Sequence, residues 1–197
     1  MEQISGAPPL AEKKTRRAPV WVFVGMFVAT GIVLALLAWA VRTKSAPPLA
    51  SGVAPDFSIT TFDGENIALS ELRGKPVVIN FWASWCIPCR TEAPILERAW
   101  KDYRERGVVI LGVDYVDTED AAKKFMQEYG MTYPNGPDLG TRISQMYRIT
   151  GVPETYFITR EGKMLNGIDS NGRAYANWIG PIDDDSLRER IEKLVRE

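Results

Sequence analysis

The longest apolar run in the chain covers Val20 to Val41, VWVFVGMFVATGIVLALLAWAV, and contains no charged residue. As a helix rising about 1.5 Å per residue it would reach roughly 33 Å, enough to cross the hydrocarbon core of a bilayer. It lacks the polar face that a surface helix of a soluble domain carries. Lys13, Lys14, Arg16 and Arg17 before it outnumber Arg42 and Lys44 after it, which predicts a cytoplasmic N-terminus with the body of the protein on the far side. The competing reading is a cleaved signal peptide, because Ala38-Trp39-Ala40 imitates a cleavage site. The run exceeds the usual signal-peptide stretch of about 7–15 apolar residues, which favours a retained anchor. The pattern divides the chain into a cytoplasmic tail at 1–19, a transmembrane anchor at 20–41, a proline- and small-residue-rich linker at 42–53 and a folded domain at 54–197.

Within that domain, 57–69 reads as a short hairpin turning at Asp63-Gly64, followed by a helical turn at 70–73. The segment 76–83, PVVINFWA, is almost continuously apolar and predicts a strand buried on both sides. A helix is expected from Cys86 to about Arg106 with Gly107 as its stop, then a second buried strand at 108–113. Thr118 is placed to cap a helix ending at Tyr129 and Gly130, with Ala121, Ala122, Phe125 and Tyr129 on one face. A further helix at 139–147 precedes Gly151-Val152-Pro153. Strands at 155–159 and 163–168 then turn at Glu161-Gly162. The chain closes with a helix burying Leu187, Ile191, Leu194 and Val195, preceded by Asp183, Asp184 and Asp185. Alternating strands and helices with a final hairpin predict an α/β sandwich.

Composition narrows the chemistry. There is no histidine, which removes histidine acid-base catalysis, Cys-His and Ser-His nucleophile activation and the commonest ligand of zinc, copper and haem iron. The first 51 residues hold six basic residues and two acids. The remainder, with 18 basic against 23 acidic residues, is mildly acidic and shows no basic stripe for nucleic acid. Cys86 and Cys89 are the only cysteines, too few for a four-thiolate metal site or a framework of disulfides.

The cysteines lie in Trp82-Ala83-Ser84-Trp85-Cys86-Ile87-Pro88-Cys89, where the buried strand hands over to the helix. A sulfur at a helix start faces unpaired backbone N–H groups and the positive end of the helix dipole, which favours the thiolate that attacks disulfides. Cys89, one turn on, is placed to attack the resulting mixed disulfide. A bare CxxC also fits a structural disulfide or half a metal site. However, a bridge closing so small a ring would restrict the unfolded chain little.

The phrase FWASWCIPC resembles the active-site signature of the thioredoxin superfamily, and Pro94 and Gly151-Val152-Pro153 stand at matching distances. The resemblance implies a thioredoxin fold, a central mixed sheet flanked by helices. It also implies a redox-active Cys86–Cys89 disulfide needing no other cofactor, and a cis peptide bond before Pro153. Asn80 occupies the position of thioredoxin's buried aspartate, and an amide cannot accept a proton from Cys89. With the anchor, the N-terminal hairpin and the long segment inserted between Asp114 and Gly151, the domain looks like the TlpA/ResA/DsbE-like proteins of cytochrome c maturation. That likeness spans residues 52–197.

In that group the glutamate at the spacing of Glu92 is an active-site acid, and it would share a helix face with Cys89. The alternative is an exposed glutamate paired with an arginine. The likeness of Gly151-Val152-Pro153-Glu154-Thr155 brings Glu154 near the redox site, although a solvated strand-end glutamate would look the same in sequence. Trp85, Ile87, Pro88 and Val152 are the residues it brings to a substrate. An extended polypeptide could pair along the Val152 backbone. The implied partners are a disulfide-containing protein such as apocytochrome c and a membrane-embedded electron donor of the CcdA/DsbD type. The alternatives are a thiol peroxidase, since peroxiredoxins share the fold and a similar Pro-Asp-Phe segment, and a metal-delivering relative. The missing histidine and the CxxC spacing argue against the last.

Overall fold

The computed structural model describes residues 20–44, 49, 52–168 and 174–197; the tail at 1–19 and most of the linker lie outside the described residues. The chain divides into two units, the second being Pro47–Glu197. The first contains α1 (Val20–Lys44). Its span Trp21–Trp39, with a mean hydropathy of 2.4 and no burial, is long and apolar enough to cross a membrane.

The second unit opens with the expected hairpin, β1 (Ser58–Thr60) against β2 (Asn66–Ala68), and Gly64 at its turn has φ +86°. A 3-10 turn at Leu69–Leu72 leads into β3 (Val77–Trp82), buried at every residue. α2 (Cys89–Tyr103) follows and ends in a 3-10 turn closed by Gly107 in the left-handed conformation. Next come β4 (Val109–Tyr115), α3 (Glu119–Tyr129), β5 (Asn135–Asp138), α4 (Arg142–Tyr147) and β6 (Glu154–Ile158). The pair β7 (Gly167–Ile168) and β8 (Ala174–Tyr175), then β9 (Asn177–Ile179) and α5 (Asp184–Arg196), complete the chain. Thr118 and Asp183 cap α3 and α5 with their side chains, accepting the amides of Ala121 and Ser186.

The main sheet has the order β5-β4-β3-β6-β9. β3, β4 and β5 are parallel, whereas β6 and β9 run antiparallel to their neighbours. Strand alternation sends Val78, Trp82, Ile110 and Phe157 to one face. There they pack under Leu96 and Ala99 of α2, Phe125 of α3 and Leu187, Ile191 and Leu194 of α5. Val77, Ile79, Phe81, Leu111 and Tyr156 face the other way, against Ile143 and Tyr147 of α4 and Phe57 and Ile59 of the hairpin. Each fully buried aliphatic or aromatic side chain here contributes about 1.5–3 kcal/mol relative to exposure. The result is the thioredoxin fold with an N-terminal hairpin and an inserted α3-β5-α4 segment.

Two expectations require correction, and one strand has no counterpart among the expected elements. The helix expected from Cys86 begins at Cys89, because Pro88, with its fixed φ, stands at its N-cap and sets the start of the helical turns. The continuous strand expected over 163–168 is broken into bridges from Lys163 to Val53 and from Met164 to Ile158, with the Leu165 amide on the Phe157 carbonyl, and the separate short strand β7. Its residues 163–165 take only one end of β6, and β9 pairs with Glu154–Tyr156 at the other end. β5, Asn-Gly-Pro-Asp, has neither alternation nor β-branched residues. It is held instead by its pairing with β4 and by the Trp82 indole, which donates to Asn135 Oδ1 at 2.9 Å.

Gly112 of β4 lies beneath that hydrogen bond, and a Cβ there would collide with Asn135 Oδ1 and Trp82 Nε1. Gly112→Ala should therefore destabilise the domain by about 1–3 kcal/mol, through overpacking and a displaced indole. Urea unfolding monitored by tryptophan fluorescence measures it; a midpoint equal to wild type would show that the strands move apart freely.

Candidate functional site

Cys86 and Cys89 form a disulfide at the C-terminal end of β3, where the chain leaves the sheet and turns into α2. Both cysteines are buried, at 3 % and 1 % exposure. Although Cys86 precedes the helix, its sulfur still meets the helix start: the Cys89 amide donates to Cys86 Sγ at 3.2 Å. A helix-start amide in that position stabilises negative charge on that sulfur when the bridge opens. Trp85 and Ile87, flanking Cys86, are 55 % and 74 % exposed, and Pro88 is exposed as well. Across the loop, the Val152-Pro153 bond is cis, Pro153 is buried, and Val152 packs against the cluster that contains both cysteines. Of the residues expected to face a substrate, Trp85, Ile87 and Pro88 thus flank the disulfide directly, and Val152 shares the hydrophobic cluster of the two cysteines.

Glu92 lies one turn beyond Cys89 on α2 and is 1 % exposed, so it is not the exposed, arginine-paired glutamate of the alternative reading. Asn80 Nδ2 donates to its Oε1 at 2.8 Å, and the Ile182 amide donates to Oε2 at 3.1 Å. Asn80 also donates to Thr155 Oγ1 at 3.1 Å, which links β3, β6 and α2 below the dithiol. Burial pushes the Glu92 carboxyl up to about 7, and the hydrogen bonds from Asn80 and Ile182 only partly oppose it. At neutral pH such a group both holds and releases a proton.

Glu154 is neither at the redox site nor solvated. As β6 alternates, Thr155 faces the dithiol side while Glu154 turns to the opposite face with Tyr156. It is fully buried there. Its carboxylate accepts the Thr150 amide and hydroxyl at 3.0 and 3.1 Å, the Tyr156 hydroxyl at 2.8 Å and Asn177 Nδ2 at 2.7 Å. With no exposed surface it cannot touch a substrate; it braces the turn that carries Val152 and Pro153.

Residues outside any motif complete the surroundings of the site. Asp117 Oδ2 accepts the Ser84 amide at 2.7 Å, and the Val116 carbonyl accepts the Trp85 indole N–H at 3.2 Å. Two bonds from the end of β4 thus hold the loop that leads to Cys86. Asp114, paired with Trp82 across the parallel register, is 1 % exposed, and neither carboxyl oxygen has a hydrogen-bond partner among the described residues. Burial, and after it the nearby Asp117, pushes Asp114 to about 8. The cue in the sequence is an acid inside an otherwise apolar strand. Among the described residues, no group of His, Cys, Asp or Glu is arranged to hold a metal ion.

The AhpC/TSA family matches residues 51–166, which include both cysteines. Among curated proteins, the chain is similar to the thiol-disulfide oxidoreductase ResA of Bacillus cereus, 37 % identical over 142 residues, covering 72 % of this chain and 76 % of that protein. The Bacillus subtilis ResA is 31 % identical over 168 residues, covering 79 % and 94 %. Among solved structures, a thiol:disulfide interchange protein of the thioredoxin family from Chlorobium tepidum aligns with a TM-score of 0.63 at 26 % identity, covering 76 % of this chain and 98 % of that one.

Because Glu92 is raised from 4.5 to about 7, the folded protein retains a proton that the unfolded chain gives up near pH 4.5. Folding stability from this group is therefore full at low pH and is lost as pH rises from about 4.5 to 7, by about 3 kcal/mol. Urea unfolding of the oxidised protein at pH 4 and pH 8 should show wild type losing about that much more than Glu92→Gln. Parallel losses in the two proteins would mean that the carboxyl titrates normally.

Proposed function

Because this chain belongs to the ResA-type thiol-disulfide oxidoreductases, within the AhpC/TSA family, we propose that its Cys86–Cys89 dithiol reduces disulfides in extracytoplasmic proteins, with apocytochrome c as the substrate. The observation that carries the reading is the pairing of a sulfur hydrogen-bonded at a helix start with a buried, proton-retaining carboxyl one turn behind its partner. In the reduced protein, the Cys86 thiolate attacks one sulfur of the substrate disulfide. That bond breaks, and the departing substrate sulfur takes up a proton. The mixed disulfide is resolved when Cys89, losing its proton to the ionised Glu92 carboxylate, attacks the Cys86 sulfur. The second substrate thiol is released, and the Cys86–Cys89 bridge re-forms. Two electrons have passed to the substrate, and a membrane-embedded donor of the CcdA/DsbD type restores the dithiol by the reverse exchange.

The surroundings of Cys86 favour this division of roles. Both cysteines are buried, but exposed Trp85, Ile87 and Pro88 flank Cys86, and its sulfur is the one that accepts the helix-start amide. Strand-like pairing along Val152, beside the cis bond to Pro153, would hold an extended substrate segment across the disulfide. The extracytoplasmic reading is supported by the apolar α1 and by the excess of basic residues before it, a distribution that favours a catalytic domain on the far side of the membrane.

The AhpC/TSA match keeps a thiol peroxidase as the second reading, and one variant separates the two. Cys89→Ala should strand a mixed disulfide on Cys86 and accumulate protein adducts that dissolve in dithiothreitol, visible on non-reducing gels. If no adduct forms and the variant turns over hydrogen peroxide, the reductase reading loses to the peroxidase one.

A further inference from the structure

Three described residues other than glycine have a left-handed backbone: Val116 at φ +48°, Thr141 at +54° and Arg148 at +54°. Arg148 is the C-cap of α4, where such a conformation commonly ends a helix, and Thr141 stands at its N-cap. Val116 caps nothing. Its branched Cβ makes this conformation especially unfavourable, and a residue held so tends to mark a functional site. The turn from β4 to α3 needs only the backbone there, since the group that Val116 contributes to the loop is its carbonyl, which receives the Trp85 indole. Glycine would supply the same carbonyl without strain.

The side chain gains little inside the fold, because Val116 is 44 % exposed. It lies beside Trp85, whose ring also meets Tyr115 at a centroid distance of 6.4 Å. Like Ile87 and Pro88, which flank the buried disulfide, it is an exposed apolar residue, with Asp117 and Arg90 as the charged neighbours in the chain. We propose that Val116 is a specificity-determining residue, held in a strained conformation so that its side chain and Trp85 receive an apolar side chain flanking the cysteine of an extended substrate polypeptide. The inference rests on the oxidoreductase reading above and adds to it the chemistry of the segment the site prefers.

The test uses two disulfide-bonded peptides that differ only in whether leucine or serine flanks the cysteine, with the reduced protein as reductant. Wild type should prefer the leucine peptide. Val116→Gly, and Val116→Asn as a residue that tolerates the left-handed backbone, should each reduce that preference about tenfold, through KM rather than kcat. Val116→Gly should also melt at a higher temperature than wild type as strain is relieved. The alkylation rate of Cys86 and the reduction potential of the dithiol report whether the loop itself has moved, and they should match wild type. A variant that keeps the leucine preference, or a wild type that reduces both peptides equally, overturns the inference and leaves the reductase reading standing. Loss of the preference together with an altered Cys86 alkylation rate also overturns it, because Val116 would then act through the loop. A wild type that reduces neither peptide removes the oxidoreductase reading and this inference with it.

Discussion

The placement of one carboxyl group out of water governs the arrangement of this site. Glu92 is buried, yet among the described residues only two donors, the Asn80 amide and the Ile182 backbone N–H, reach its oxygens. Two neutral donors are too few to hold full charge in a desolvated position, so the group keeps its proton well above the range of a solvated glutamate. The donors come from β3 and from the segment before α5, and the carboxyl comes from α2, so the acid acquires its character only when these three parts are assembled. With Asn80 in the strand, the buried carboxyl of raised pKa one turn beyond Cys89 comes from the helix instead. The amide then serves as a bracket between Glu92 and Thr155.

The sheet separates two tasks. One face packs α2, α3 and α5 against Trp82 and the dithiol, so the chemistry is embedded in the larger core. The other face joins α4, the N-terminal hairpin and the Glu154 network. Glu92 and Glu154, both buried, lie on opposite faces. The second accepts four hydrogen bonds, two of them from Thr150 in the loop that leads to the cis peptide bond and the others from Tyr156 and Asn177.

Much of this was legible in the sequence because the informative patterns were local. The apolar run of β3, the Thr118 cap with the Gly130 stop of α3, and the amphipathic period of α5 each depend on neighbours a few residues away. The dithiol and Glu92 were legible through the resemblance of the motif to a known group; helix spacing added only that Glu92 shares a face with Cys89. What was not legible depends on contacts distant in sequence. β5 is a strand because β4 and the Trp82 indole make it one. The side of the sheet taken by Glu154 depends on where β6 begins, and a shift of one residue reverses every side chain. The strain at Val116 has no counterpart in composition or period at all.

Asp117 grips two amides with one carboxylate: that of Ser84 in the dithiol loop, and that of Thr118, which caps α3. The first turn of α3 and the approach to Cys86 are thus fastened by the same side chain. A shift of Asp117 with that helix end would therefore take away a bond that holds the redox loop. A partner protein that grasps the beginning of α3, without touching either sulfur, would thereby alter how readily the bridge is exposed to attack.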